Sequence, residues 1–224
     1  FQIGHVFRNR EETGRLHSPE FAMLEWYTTG AGYIDSLDVT DELLAHPDKR
    51  FALPSCLSHP IERRRLVDEI ARRTGIREDE WRNLSVFKQG AFRSGISIPD
   101  AADWEETFHT VFLSEVEPDL PTELPTALID YPAGIPCLAR IKSNTPFRER
   151  WELYAGGIEL ANCYTEETDP AAVASYIEQE SKSFSRKKRT ERIDEKFASV
   201  YSSPPRLCSG VALGVDRLIM LASG

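Results

Sequence analysis

Residues 1–7 and 21–28 are two strand-like runs held apart by a long charged stretch, residues 8–19, in which Gly14 is available for a turn. Two strands joined in this way close as an antiparallel hairpin whose tip projects from the sheet, so the start of the chain is committed to a β-sheet. In the second run, strand alternation puts Phe21, Met23, Glu25 and Tyr27 on one face and Ala22, Leu24 and Trp26 on the other. A carboxylate among large apolar side chains needs an ionic partner or a ligand, which makes Glu25 conspicuous.

The remaining periodicities supply helices between further strands. Helices are expected over 36–44 and over 61–74, where Leu66, Ile70 and Ala71 share a face and Gly75 supplies the stop. Pro99 and Asp100 introduce another, with Trp104, Phe108, Val111 and Phe112 at helical spacing before Pro118 ends it. Short strands are expected at 126–131 and 137–141, and a hairpin of 151–155 with 158–164 around Gly156 and Gly157. A long helix over 170–184 is followed by a basic run, 186–192, which reads as a solvated face, and then a further helical turn. The chain ends with a glycine-punctuated strand at 206–215 and a helix from Asp216. Strands at both ends with helices between them give an α+β fold, an antiparallel sheet flanked by helices, as one domain over 1–224.

Bulk properties narrow the function. The net charge is −9, which disfavours a general nucleic-acid binder. Cys56, Cys137, Cys163 and Cys208 form no CxxC pair, which suits free thiols in a reducing, cytoplasmic setting and argues against a zinc ribbon. No apolar run is long enough to cross a bilayer, and no signal peptide is visible. The chain starts at Phe1 inside strand-like sequence, so a preceding amino-terminal part is expected.

Three patches carry chemistry. In the first, Arg8, Glu11, Glu12, Arg15, His17 and Ser18 share the hairpin loop. Arginine presents a planar fork of donors suited to phosphate oxygens, and a carboxylate beside it can accept from an exocyclic amine such as that of adenine. The second, Gly157 to Asn162 with Tyr164 and Glu166, sets Glu159 and Glu166 around an otherwise apolar strand; oxygen ligands of this kind suit Mg²⁺. In the third, Ser209 to Leu218, Gly210 and Gly214 permit close approach to a strand, and Arg217 falls in the first turn of the next helix. A cation there opposes the helix dipole and needs another reason to be present. The glycine spacing matches neither a phosphate-binding P-loop nor a dinucleotide-binding fingerprint.

Taken in order, the patches resemble the class II aminoacyl-tRNA synthetases. The first, over 1–28, is similar to their motif 2 hairpin, and the third, over 206–223, to their motif 3 strand leading into Asp216-Arg217-Leu218. The second resembles a strand of the lysyl-tRNA synthetase group. Within that group the chain looks closest to the short paralogues that attach (R)-β-lysine to elongation factor P, on the run Cys208 to Leu218, on Trp26-Tyr27, and on the segments around Val116-Glu117-Pro118 and Ile129-Asp130-Tyr131-Pro132. Motif 1, a dimer element of this class, is not in the sequence.

The resemblance implies an ATP-dependent ligase that forms an aminoacyl-adenylate and passes a lysine-like acyl group, (R)-β-lysine or lysine, to elongation factor P. A lysyl-tRNA synthetase fragment charging tRNA and an inactive synthetase-like binding module are the alternatives. It further implies that Arg8 and Arg217 are catalytic, holding the ATP phosphates. Glu11 or Glu12 would meet the adenine amine; His17, Ser18, Glu159, Leu160, Asn162 and Gly214 would line the ATP site; Tyr27 and Glu166 would bind the amino acid; Glu159 and Glu166 would hold Mg²⁺. A cytoplasmic homodimer is expected. The chain departs from the family pattern in the extra residue of Arg8-Asn9-Arg10-Glu11-Glu12, in Ser18, in Cys163 after Asn162, and in the run Thr165 to Thr168.

Overall fold

The computed structural model of the chain describes residues 1–8, 14, 16–45, 53–186 and 207–223. Seven strands form one sheet: β1 (Gln2–Phe7), β2 (Glu20–Thr29), β3 (Glu62–Arg65), β4 (Thr126–Pro132), β5 (Phe147–Ala155), β6 (Ile158–Thr165) and β7 (Cys208–Gly214), in the order β1-β2-β7-β6-β5-β4-β3. Every neighbouring pair is antiparallel except β3 with β4. Long-range pairing thus brings β7, late in the chain, between the opening hairpin and β6, and the α+β expectation holds.

The helices are α1 (Tyr33–Ala45), α2 (Ser55–Ser58), α3 (Leu66–Thr74), α4 (Leu84–Arg93), α5 (Trp104–Val111), α6 (Pro170–Arg186) and α7 (Val215–Ser223). They divide the core in two. On one face of the sheet, Trp151, Leu153, Ala161, Cys163, Val211 and Leu213 are buried together with Tyr33, Leu37 and Leu44 of α1 and Leu57 of α2. On the other face, Leu128, Tyr131, Phe147 and Tyr154 of β4 and β5 are covered by Leu66, Ile70, Phe87, Phe108 and Phe112 from the α3–α5 lobe. Trp104, Phe108 and Phe112 stack along one stripe, with ring centroids 5.6 and 6.0 Å apart. That lobe covers the β4–β5 end only, and the same face remains open over β2, β7 and β6.

Local chemistry sets the element ends. Asn83 accepts from the Ser85 and Val86 amides to cap α4, and Asp103 and Glu106 close a reciprocal capping box on α5. Gly75, at φ 70°, stops α3 as its sequence predicts. Gly156 and Gly157 both have positive φ, the requirement of a tight two-residue turn between β5 and β6.

Some expectations are corrected. The predicted helix 61–74 is split: Glu62–Arg65 pairs with β4 as an edge strand, and only Leu66–Thr74 is helical. The arginines that suggest a helix flank instead guard a sheet edge, Arg63 pairing with Asp38 and Arg64 with Glu62. Residues 137–141 contribute isolated bridges at Ala139 and Ile141, not a strand. The basic run lies outside the described residues from 187 onward. Among the described residues no helix is long and apolar enough to cross a membrane.

Candidate active site

The open half of the sheet forms the floor of a cavity of about 730 Å³, walled by the β1–β2 loop and by α7. Register decides which side chains face it. Tyr27 is opposite Gly210, Glu25 opposite Ala212 and Met23 opposite Gly214, and across β6 Tyr164 is opposite Gly210 and Asn162 opposite Ala212. Partners in register share a face, so β7 contributes a floor of Gly210, Ala212 and Gly214 beneath taller side chains from both sides. At Gly210 a Cβ would come within 2.8 Å of the Tyr27 ring, so the ring lies over this position only because no side chain stands there. At Gly214 an added Cβ would meet Arg217 and Leu160 only at 3.6 to 3.7 Å, so the chain itself leaves that position open.

Arg8, Leu16, His17 and Ser18 enter from the loop and Arg217 from α7. The turn is fixed by paired backbone bonds between Gly14 and His17, and Arg8 bonds Pro19 through its backbone while its guanidinium lies 5.2 Å above the Phe21 ring. Ser18 Oγ accepts from the Glu20 amide at 3.4 Å. Arg217 ties three segments together. It donates to the Glu159 carbonyl at 2.6 Å and the Leu16 carbonyl at 3.4 Å, and it stands 3.7 Å from the Glu159 carboxylate. Its neighbour Asp216 accepts from the Ala22 amide at 2.8 Å, docking α7 on β2. The cation at the helix start is thereby explained: it bridges strand, loop and cavity.

A β-bulge delivers Glu159. Between Leu153 opposite Ala161 and Tyr154 opposite Glu159, β6 carries one extra residue, Leu160, which turns Glu159 onto the face of Asn162 and Tyr164. Leu160 itself is 2% exposed and belongs to the core while bordering the cavity. Burial and the charge of Glu152 push the Glu159 carboxyl up to about 7, against the pull of Arg217, Arg150 and Arg8. Those three cations and Glu159 therefore form one electrostatic unit.

At the other end of β6, Glu166 is 8% exposed and accepts from the Tyr27 hydroxyl at 3.1 Å. Burial raises its pKa, and the Tyr27 bond opposes that rise. The buried Asn162 Oδ1, which also borders the cavity, has no hydrogen-bond partner among the described residues. An orphaned buried acceptor between two carboxylates is suited to a donor-rich ligand.

Glu159 and Glu166, the pair expected to hold one metal ion, both line this cavity. The carboxylate beside Glu159 is Glu152, which lies across the hairpin and is held by Arg150 at 2.5 Å, Tyr131 at 2.7 Å and Tyr154 at 2.9 Å. No group of three or more metal-ligating side chains exists among the described residues, so an ion here would need oxygen atoms from a bound phosphate as well. Glu11 and Glu12 lie outside the described residues. Gathered around the one cavity are Arg8, His17, Ser18, Tyr27, Glu159, Leu160, Asn162, Glu166, Gly214 and Arg217. Glu25, bonded to Gln2 at 2.9 Å, and Tyr164 also line it and had no assigned role; their positions on the alternating face of a strand were the available signal. Glu152 carried no signal, because its partner is fixed by the hairpin.

The chain matches the model of the tRNA synthetases class II (D, K and N) over residues 1–224. It is 38% identical over its full length to an elongation factor P–(R)-β-lysine ligase homologue of Aquifex aeolicus, of which it spans 70%. To the elongation factor P–(R)-β-lysine ligase of Proteus mirabilis it is 36% identical over its full length, spanning 67% of that protein. A lysine–tRNA ligase of Carboxydothermus hydrogenoformans is 31% identical over 99% of the chain, which spans 47% of that enzyme. The chain belongs to the class II tRNA synthetases of the D, K and N group.

Proposed function

We propose that the chain is the catalytic core of an ATP-dependent ligase that activates (R)-β-lysine or lysine as its adenylate and transfers the acyl group to elongation factor P. The observation that carries this reading is one cavity with two chemically distinct ends. Arg8, Arg217 and Glu159 make a phosphate-binding end, and Tyr27, Glu166, Asn162 and Glu25 make an amine-binding end. A diamino acid spans such a cavity with its ammonium groups among acceptors and its carboxylate toward the cations.

In the first step a carboxylate oxygen of the amino acid attacks the α-phosphorus of ATP. A P–O bond forms, the bond to the β-phosphate breaks, and pyrophosphate leaves with the electron pair. Arg8 and Arg217 neutralise the developing charge and align the reactants, which is positioning and electrostatic work with no covalent enzyme intermediate. Glu159 and Glu166 would hold Mg²⁺, which when bound would supply further charge neutralisation on the phosphates. In the second step an acceptor amine attacks the acyl carbon, AMP leaves, and the amine gives up its proton. His17, Ser18, Leu160 and Gly214 complete the nucleotide wall, and Gly214 leaves room for the adenine.

The protein acceptor is favoured over tRNA by the greater identity and coverage of the elongation factor P ligases, and by the acidic balance of the chain. The reading extends to a cytoplasmic homodimer, supported by four free cysteines and by exposed Phe1, Ile3 and Phe7 on and beside the edge strand β1. ATP–pyrophosphate exchange is the test, run with (R)-β-lysine, L-lysine and L-norleucine and followed by transfer of labelled acyl group to elongation factor P or tRNA. Exchange stimulated by the diamino acids alone supports the reading. Nucleotide binding without exchange for any of them would replace it with an inactive binding module.

A further inference from the structure

Glu166 lies just past the end of β6, where strand pairing alone does not fix it. Its backbone is held from both sides. On one side the Glu166 amide donates to the Cys208 carbonyl at 3.0 Å, continuing the ladder to β7. On the other, the segment 136–141 crosses from β4 to β5 and lies against it. There the Glu167 amide donates to the Leu138 carbonyl at 2.9 Å, the Arg140 amide donates to the Thr165 carbonyl at 2.9 Å, and Ala139 forms an antiparallel bridge with Glu166. This segment is no strand of its own and buries few apolar side chains; the Glu149 amide to Arg140 carbonyl bond at 2.9 Å and the Arg140–Glu149 ion pair fix it at residue 140, and the stretch before that needs a separate hold.

Arg148 of β5 does so. Its Nε donates to the Ile135 carbonyl at 3.0 Å, one terminal nitrogen to the Ala139 carbonyl at 2.7 Å, and the other to the Ala133 carbonyl at 3.2 Å. A single guanidinium thus gathers three carbonyls of one irregular loop, a task for the rigid fork of arginine that the point charge of lysine cannot reproduce. The far end of the loop is pinned separately. Lys142 donates to both oxygens of buried Asp130 at 2.9 Å, Asp130 also accepts from the Tyr33 hydroxyl at 2.6 Å, and the Tyr33 amide bonds Thr165 Oγ1 at 2.9 Å. Asp130 sits at φ 63°, a conformation a non-glycine residue holds only where its surroundings demand it.

We infer that Arg148 is a positioning residue for Glu166, fixing the amine-binding carboxylate, and with it substrate selection, through the 136–141 segment. Arg148 is absent from the residues lining the cavity, so its effect on a substrate passes through the loop. The inference rests on the proposed function insofar as Glu166 receives a substrate amine.

The experiment measures ATP–pyrophosphate exchange with L-lysine, (R)-β-lysine and L-norleucine for the wild type, Arg148→Met, Arg148→Lys, Glu166→Gln and the Glu166→Gln/Arg148→Met double variant. Arg148→Met is expected to raise KM for the diamino acid by about tenfold, the scale of one misplaced charge-assisted hydrogen bond, with KM for ATP unchanged. Preference over norleucine should fall in proportion. In the Glu166→Gln background Arg148→Met should add no further loss, because the carboxylate it positions is already gone. Losses that multiply in the double variant, or a fall in kcat with an equal rise in both KM values, would overturn the inference. If Arg148→Met does not fold, Arg148→Lys provides the same comparison. Wild-type protein that exchanges with none of the three amino acids defeats the proposed function instead, so the two failures are distinguishable.

Discussion

At Glu159 two acids stand side by side on one sheet face, and the protein supplies cations to only part of their demand. A carboxyl raised from 4.5 to about 7 means that the folded chain takes up a proton that the unfolded chain lacks between those limits. The penalty for this group is absent below pH 4.5, grows as pH rises, and is complete above about 7. Glu159→Gln mimics the protonated form at every pH. The melting temperature of the ligand-free variant should therefore match wild type near pH 4.5 and exceed it increasingly toward pH 8, as followed by circular dichroism. A constant offset across that range would show that the charge of Glu159 is not what matters. Gly210 gives a second test at the same scale. Gly210→Ala would force the Tyr27 ring aside, and the ring carries the hydroxyl that bonds Glu166. KM for the amino acid should rise about tenfold, the scale of one lost hydrogen bond to a charged group, while KM for ATP stays constant. Equal changes in both would mean that the strand itself had been displaced.

Among the elements, α4 belongs to the lobe that covers the β4–β5 end and does not line the cavity. Its Asn83 cap satisfies two amides, so Asn83→Ala should cost about 1 kcal/mol in denaturant unfolding while kcat stays at the wild-type value. A fall in kcat matching the stability loss would couple lobe to site. The elements also divide by how legible they were. The opening hairpin, the Gly156-Gly157 turn and the final strand and helix could be read because strand alternation and turn chemistry are local signals. Glu62–Arg65 could not, because a run of one acid and three arginines becomes a strand only where β4 offers an edge. The bulge at Leu160 likewise depends on two strands at once, and with it the placing of Glu159 on the face of Asn162 and Tyr164. Of the residues named in the ordered patches, Arg8, His17, Ser18, Glu159, Asn162, Glu166, Gly214 and Arg217 line the cavity, while Glu11, Glu12 and Arg15 lie outside the described residues. Those that depend on tertiary register, Glu152 and Arg148, left no mark in a linear reading.

For the whole molecule, the cavity lies where the hairpin loop, the sheet floor and α7 meet, and Arg217 bonds two of the three across the opening. A ligand filling that junction binds the folded chain alone, so it must shift the unfolding equilibrium by mass action. At a hundred times its Kd, Mg·ATP is expected to add about 2.7 kcal/mol, which for a chain of this size is a rise in Tm of roughly 5–10 °C. Arg217→Ala removes the bridge and a phosphate-facing cation together. It should lower the ligand-free Tm modestly and abolish most of the nucleotide-dependent rise, whereas Asn83→Ala should lower the baseline and keep the rise intact. Scanning calorimetry with and without Mg·ATP separates these effects, because a general loss of stability moves both curves and loss of the site narrows the gap between them. An Arg217→Ala protein whose gap equals that of wild type would place the nucleotide somewhere other than this cavity, and the division of the cavity into a phosphate end and an amine end would fall with it.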